Sequence, residues 1–221
     1  MPQDLNLVTI TDPISPASEA YRTLRLNLQY ASLDAPLRIL LVTSSSPDEG
    51  KSTTLANLAV TMAQAEQRVI MVDCDLRRPH LHELFGQRND IGLTTMMLED
   101  EALTEPPLLE TPVKGLRLLA SGPLPPRPAD LLGSQRMERV LERLAADADM
   151  VVLDAPPVMA VTDAVVLATK VDGVLLVVSA GTTKRENAQR AVERLRKVNA
   201  HIVGSVLNNA PVDATLHGYY R

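Results

Sequence analysis

Ile39-Leu40-Leu41-Val42 is a continuous apolar run that enters Thr43-Ser44-Ser45-Ser46-Pro47-Asp48-Glu49-Gly50 and then Lys51-Ser52-Thr53. Beyond Lys51 the apolar residues Leu55, Leu58, Ala59 and Met62 recur at i, i+3, i+4, i+7, one face of a helix. Strand, loop and helix in that order open a βαβ unit. Gly50-Lys51-Ser52-Thr53 sits at the loop-to-helix junction, where a glycine lets the backbone approach a ligand closely. A helix N-terminus there turns amide donors and partial positive charge toward a polyphosphate. In such a loop Lys51 bridges β- and γ-phosphates and Ser52 ligates Mg²⁺. Ser45 stands where the first glycine of the usual spacing belongs. The plainer reading, a turn that caps a helix, leaves Lys51 unexplained.

Working outward, further apolar runs lie at Val69–Val72, Leu116–Leu119, Met150–Leu153, Val174–Val178 and Ile202–Leu207. Helical spacing returns at Met137, Val140, Leu141 and Leu144, and again at Ala188, Ala191, Val192, Leu195 and Val198. Runs without alternation belong to strands covered on both faces. The predicted fold is therefore α/β: a doubly wound, mostly parallel sheet with helices on both faces. Ligands of such sheets sit beyond the carboxyl ends of the strands, and there the sequence puts the 44–51 loop, Asp73 and Asp75, Asp154 and Asn208. The domain is expected over 18–210. Residues 1–17, with three prolines, read as an arm outside the core, and 211–221 as a tail. Ser18 is expected to cap a helix over 18–33.

Asp154 ends its strand where a magnesium carboxylate belongs in a nucleotide-hydrolysing fold, although a strand-terminal Asp also serves as a turn former. Asp73 and Asp75 are two apart, and their mutual repulsion is relieved by a cation or by a basic partner such as Arg77 or Arg78.

Composition narrows the function. The 221 residues (24.0 kDa) are 45% hydrophobic and 22% charged, with net charge −5 and pI about 5.4, so no general basic field gathers nucleic acid or anionic lipid. One Phe, no Trp and four Tyr make a base-stacking platform unlike this chain. The single Cys74 excludes an internal disulfide, and His80, His82, His201 and His217 show no metal spacing with it. No apolar run reaches 18 residues and Met1-Pro2-Gln3-Asp4 lacks a signal-peptide layout, so a cytosolic chain is expected.

Five ordered motifs resemble one family, the bacterial tyrosine kinases of capsule and exopolysaccharide synthesis, relatives of the deviant-Walker partition ATPases. Ser46–Thr53 resembles their first Walker motif, Val72–Pro79 their additional Asp motif and Val151–Pro157 their second Walker motif. Gly122–Leu132 is similar to a proline-rich segment of the family, with Arg127 where asparagine is common, and Glu19-Ala20-Tyr21-Arg22-Thr23-Leu24-Arg25 to its assembly helix. The resemblance implies ATP- and Mg²⁺-dependent phosphorylation of tyrosines on the tails of neighbouring subunits in a ring-like homo-oligomer. By position, Pro47, Asp48, Glu49, Gly50, Lys51, Ser52 and Thr53 cradle the nucleotide; Ser52, Asp75 and Asp154 hold the metal; and Asn208 meets the adenine edge. Asp73 orients or deprotonates the acceptor hydroxyl, a role not separated from that of Asp75. Tyr219 and Tyr220 are the implied acceptors, fewer than family members usually carry. Glu19, Arg22 and Arg25 are the implied assembly residues; a solvated helix face with a local ion pair is the plainer reading. A membrane adaptor that recruits the kinase to the inner membrane face, and a cognate tyrosine phosphatase, are the implied partners. The competing reading is a partition or positioning ATPase. It calls for a second lysine early in the loop, where this chain has serines and Pro47, and for a terminal membrane helix or DNA-binding patch absent from 208–221.

Overall fold

The computed structural model describes residues 5–31 and 36–211. The strands are β1 (Ile39–Ser44), β2 (Val69–Asp73), β3 (Leu109–Glu110), β4 (Leu116–Leu119), β5 (Met150–Asp154), β6 (Gly173–Ser179) and β7 (Ile202–Asn208). They form one sheet in the order β3-β4-β2-β5-β1-β6-β7, with β3 antiparallel to β4 and every other pair parallel. The helices are α1 (Val8–Thr11), α2 (Pro16–Ala31), α3 (Lys51–Gln64), α4 (Leu81–Leu84), α5 (Leu93–Leu98), α6 (Asp100–Thr104), α7 (Pro128–Gly133), α8 (Gln135–Asp147), α9 (Asp163–Leu167) and α10 (Arg185–Arg196).

Alternate strand residues point to opposite faces, and two cores result. Leu41, Ile70, Val72, Val151, Leu153 and Leu176 pack with α5, α7, α8, α9 and α10. Leu40, Val42, Met71, Val152 and Val177 pack with α1, α2 and α3. Helix α3 is buried nearly all round rather than along a single face, because α1 and α2 cover its outer side. Each fully buried Leu or Met on it contributes about 2 kcal/mol.

That cover corrects two expectations. The described part of the 1–17 stretch is not outside the core: Leu5 and Leu7 are buried, and Thr9 donates through its amide (3.1 Å) and its hydroxyl (2.9 Å) to Asn57 of α3. Helix α2 also begins earlier than Ser18, with Pro16 in the first turn, where its missing N–H costs nothing. Ser15 accepts the Ser18 amide, and Ser18 itself is buried inside the helix.

The register places the site. Asp154 stands opposite Asp73 on one side and Val42 on the other, so β2 and β5 finish level while β1 runs on to Ser44 and into the turn before α3.

Candidate active site

The turn between β1 and α3 is folded by Glu49. Its carboxylate is 3% exposed and accepts the Ser45 amide (2.8 Å), the Ser46 amide (3.0 Å), the Ser45 hydroxyl (2.8 Å) and the Thr183 hydroxyl (2.5 Å). Within this turn the side chain shapes the loop from behind rather than lining the cleft. Gly50 has φ +82°, and a Cβ there would lie 2.1 Å from Asn208 Nδ2. Both the left-handed backbone and the close approach require glycine. Asn208 donates to the Glu49 carbonyl (3.1 Å), which puts the strand-end asparagine against the loop. Asp48 also has positive φ, a conformation Asp tolerates better than most residues.

A cleft of about 840 Å³ opens over this turn, lined on one side by Pro47, Asp48, Gly50, Lys51, Ser52 and Thr53. Asp75, Arg77, Arg78, Pro79, His80 and Glu83 form a second side, and Pro156, Pro157, Ala160 and Val161 a third. In it the Lys51 ammonium lies 3.1 Å from Asp75 and 3.2 Å from Asp154, and Ser52 donates to Asp154 at 2.5 Å. Burial alone would lower the Lys51 ammonium, but Asp154 and Asp75 outweigh it and hold it above the ordinary lysine value. Burial pushes the Asp154 carboxyl up, against Lys51 and Ser52, which favour its charged form. Bringing these four groups together is the central act of the fold. Cys74, between the two aspartates, is buried, and its thiol is pushed well up by burial and by the neighbouring carboxylates, which leaves it unreactive.

Asp73 and Asp75 do not share one role. Asp75 lines the cleft; Asp73 is fully buried, and one of its oxygens accepts the amides of His80 and Leu81, each at 2.9 Å. The chain leaves the sheet at Asp73, so the two-residue spacing no longer means a common face. Nor do Arg77 and Arg78 neutralise the pair with their guanidinium groups. Their amides bind Asp75, while the Arg77 fork turns to Asp163.

Burial, reinforced by Asp154, raises the Asp73 carboxyl from 3.8 to about 8. Between those two pH values the native protein therefore keeps a proton that the unfolded chain has lost, so stability declines as pH rises through that window. Asp73→Asn is expected to flatten this decline in metal-free urea titrations; an unchanged slope would show that Asp73 titrates normally.

The other candidates are placed as follows. Glu19 and Arg22 form their ion pair on α2, while Arg25 has a buried Nε without a hydrogen-bond partner among the described residues. Leu26 and Tyr30 are exposed on the same helix. Tyr219 and Tyr220 lie outside the described residues, as do positions 32 and 33 of the expected helix. Sequence reasoning missed Thr183, Asp163 as the partner of Arg77, and the part of the wall formed by Ala160 and Val161. A lone threonine 134 residues from Glu49 carries no sequence signal, whereas Asp163 in the first turn of a helix reads as an ordinary dipole partner.

The family profile described as ParA: NUBPL iron-transfer P-loop NTPase matches residues 37–214. The tyrosine-protein kinase YwqD of Bacillus subtilis is 40% identical over 216 residues, 97% of this chain and 91% of that protein. This chain belongs to the bacterial tyrosine kinases of the P-loop NTPase family. The kinase domain of Escherichia coli tyrosine kinase ETK superposes with a TM-score of 0.91 at 31% identity, covering 97% of this kinase and 84% of that domain. The cell-division ATPase MinD of Pyrococcus furiosus shares the fold alone, with a TM-score of 0.65 at 24% identity over 77% of this kinase and 71% of MinD. As a P-loop kinase the chain binds nucleotide.

Proposed function

We propose that this kinase transfers the γ-phosphoryl group of ATP to tyrosines on the C-terminal tails of neighbouring subunits, and so regulates capsular or exopolysaccharide synthesis and export. One observation carries the reading: Lys51, Ser52, Asp75 and Asp154 converge at the N-terminus of α3, in a cleft with room for both a nucleotide and an acceptor. Phosphoryl transfer asks chiefly for positioning and charge compensation, and these groups supply both. Gly50 and the first amides of α3 face the polyphosphate, and Lys51 leaves its carboxylates to bridge the β- and γ-phosphates. Asn208, already against the loop, meets the adenine edge.

The donor set fits Mg²⁺, which takes one or two carboxylates and completes its shell with phosphate and water. Ser52, Asp75 and Asp154 would hold it, and when bound it neutralises charge on the transferring group. Asp73 acts from behind the cleft, anchoring the 80–81 turn that forms one wall. The bond made joins the phenolic oxygen to the γ-phosphorus; the bond broken is that between the γ-phosphorus and the β,γ-bridging oxygen, so ADP leaves and the phenolic proton passes to water.

The exposed face of α2 supports assembly. Leu26 and Tyr30 leave α2 with exposed apolar groups, which suits a subunit interface in a ring-like homo-oligomer. No helix among the described residues is long and apolar enough to cross a membrane. A separate membrane adaptor whose cytoplasmic tail activates the kinase would bring it to the inner membrane face, and a cognate phosphatase would reverse the reaction. The chain matches 28% of the length of Escherichia coli tyrosine-protein kinase etk, so most of that relative lies beyond the shared domain.

Transfer between subunits is tested by mixing two variants. A Lys51→Met chain keeps its tail tyrosines, and a Tyr219→Phe/Tyr220→Phe chain keeps its active site. Phosphotyrosine on the Lys51→Met chain of the mixture is expected; labelling confined to chains with an intact active site would contradict transfer to neighbours.

A further inference from the structure

Asp163 stands in the first turn of α9, fully buried, and its two oxygens grip the Arg77 guanidinium at 2.9 and 3.0 Å. The two residues belong to opposite walls of the cleft. Arg77 lies on the segment that carries Asp75, Arg78, Pro79 and His80. Asp163 follows the segment that carries Pro156, Pro157, Ala160 and Val161. That second segment is itself fastened to the phosphate loop, through the Val158 amide on the Ser44 carbonyl (2.9 Å) and the Thr43 hydroxyl on the Pro156 carbonyl (2.8 Å). On the first segment the amides of Arg77 (3.4 Å) and Arg78 (3.0 Å) hold one oxygen of Asp75, and the other oxygen meets Lys51 at 3.1 Å. A continuous set of contacts thus runs from Asp163 through Arg77 and its backbone to the carboxylate beside the catalytic lysine.

The pair adds little net stability, because solvent reaches the Arg77 side chain and screens the attraction. What a guanidinium–carboxylate fork supplies is direction: two parallel hydrogen bonds fix both distance and orientation. We infer that Asp163 is a positioning residue which, through Arg77, aims Asp75 at the metal and sets the width of the cleft. The inference rests on the kinase reading of that cleft and adds to it a residue outside the sequence motifs. An outer partner of a metal carboxylate is typically worth about 10- to 100-fold in metal affinity or activity.

The test is Mn²⁺ binding to the ADP complex of the full chain, followed by electron paramagnetic resonance, with Asp163→Asn and Arg77→Lys as variants. Arg77→Lys keeps the charge and sits on a partly exposed side chain, so it remains informative if the buried substitution fails to fold. In Asp163→Asn the Mn²⁺ affinity is expected to fall at least about tenfold, while ADP affinity in EDTA stays within about twofold, because the amides of the phosphate loop are untouched. Arg77→Lys is expected to fall between parent and Asp163→Asn, and the lost phosphotransfer rate should be partly recovered by raised Mg²⁺. Folded variants with the parent's Mn²⁺ affinity would overturn the inference. An equal loss of metal-free ADP binding would overturn it too, by showing a general collapse of the cleft. Failure of the parent chain to bind Mn²⁺ and ADP would instead remove the nucleotide reading on which it stands.

Discussion

Replacing Lys51 by Met is expected to lower phosphotyrosine formation about 100- to 1,000-fold, the range seen when one preorganised electrostatic donor is deleted. Lys51 is the cation positioned against both Asp75 and Asp154, at 3.1 and 3.2 Å. Its loss removes the charge that steadies the transferring group. It also leaves two carboxylates facing each other in a buried setting, which favours taking up a proton. The variant should therefore show a second signature, a decline of stability with rising pH that is steeper than the one Asp73 gives the parent. Steady-state assays with saturating ATP check the first effect, and urea unfolding across a pH series checks the second. A Lys51→Met chain with parental turnover would mean that the chemistry happens elsewhere.

Glu49→Ala should damage stability and binding together. The carboxylate is the common acceptor for two loop amides and two hydroxyls, so its removal leaves several buried donors without partners. Hydrogen bonds to a charged group contribute about 1.5–3 kcal/mol each, and the loss is shared among them, so about 3 kcal/mol is expected. For a chain of this size that is a fall of about 6–12 °C in Tm. The phosphate loop loses its shape at the same time, and ADP affinity should drop by more than tenfold in calorimetry. If the variant melts with the parent and binds ADP normally, Glu49 does not shape the loop.

Glu49 also shows where sequence reading stops. Its place in the motif made it a nucleotide-binding candidate, but its side chain faces inward, toward a threonine on another loop. The strands were legible because Val69–Val72, Met150–Leu153 and Val174–Val178 are unbroken apolar runs between helical stretches. The meeting of Lys51, Ser52 and Asp154 was legible because each stands at a strand end or helix start, which the sequence displays directly. Burial of Leu5 and Leu7 was not, since two apolar residues among prolines have no period to read. The divergence of Asp73 from Asp75 was hidden for a related reason: spacing predicts a shared face only while the chain stays extended.

The most direct test of the account is incubation of the full chain with γ-labelled ATP and Mg²⁺, followed by phosphoamino-acid analysis, with Lys51→Met in parallel. Label on tyrosine in the parent and none above background in Lys51→Met is the expected result. Phosphate released to solution with no labelled tyrosine would make the protein a nucleotide hydrolase on the same fold and contradict its reading as a kinase.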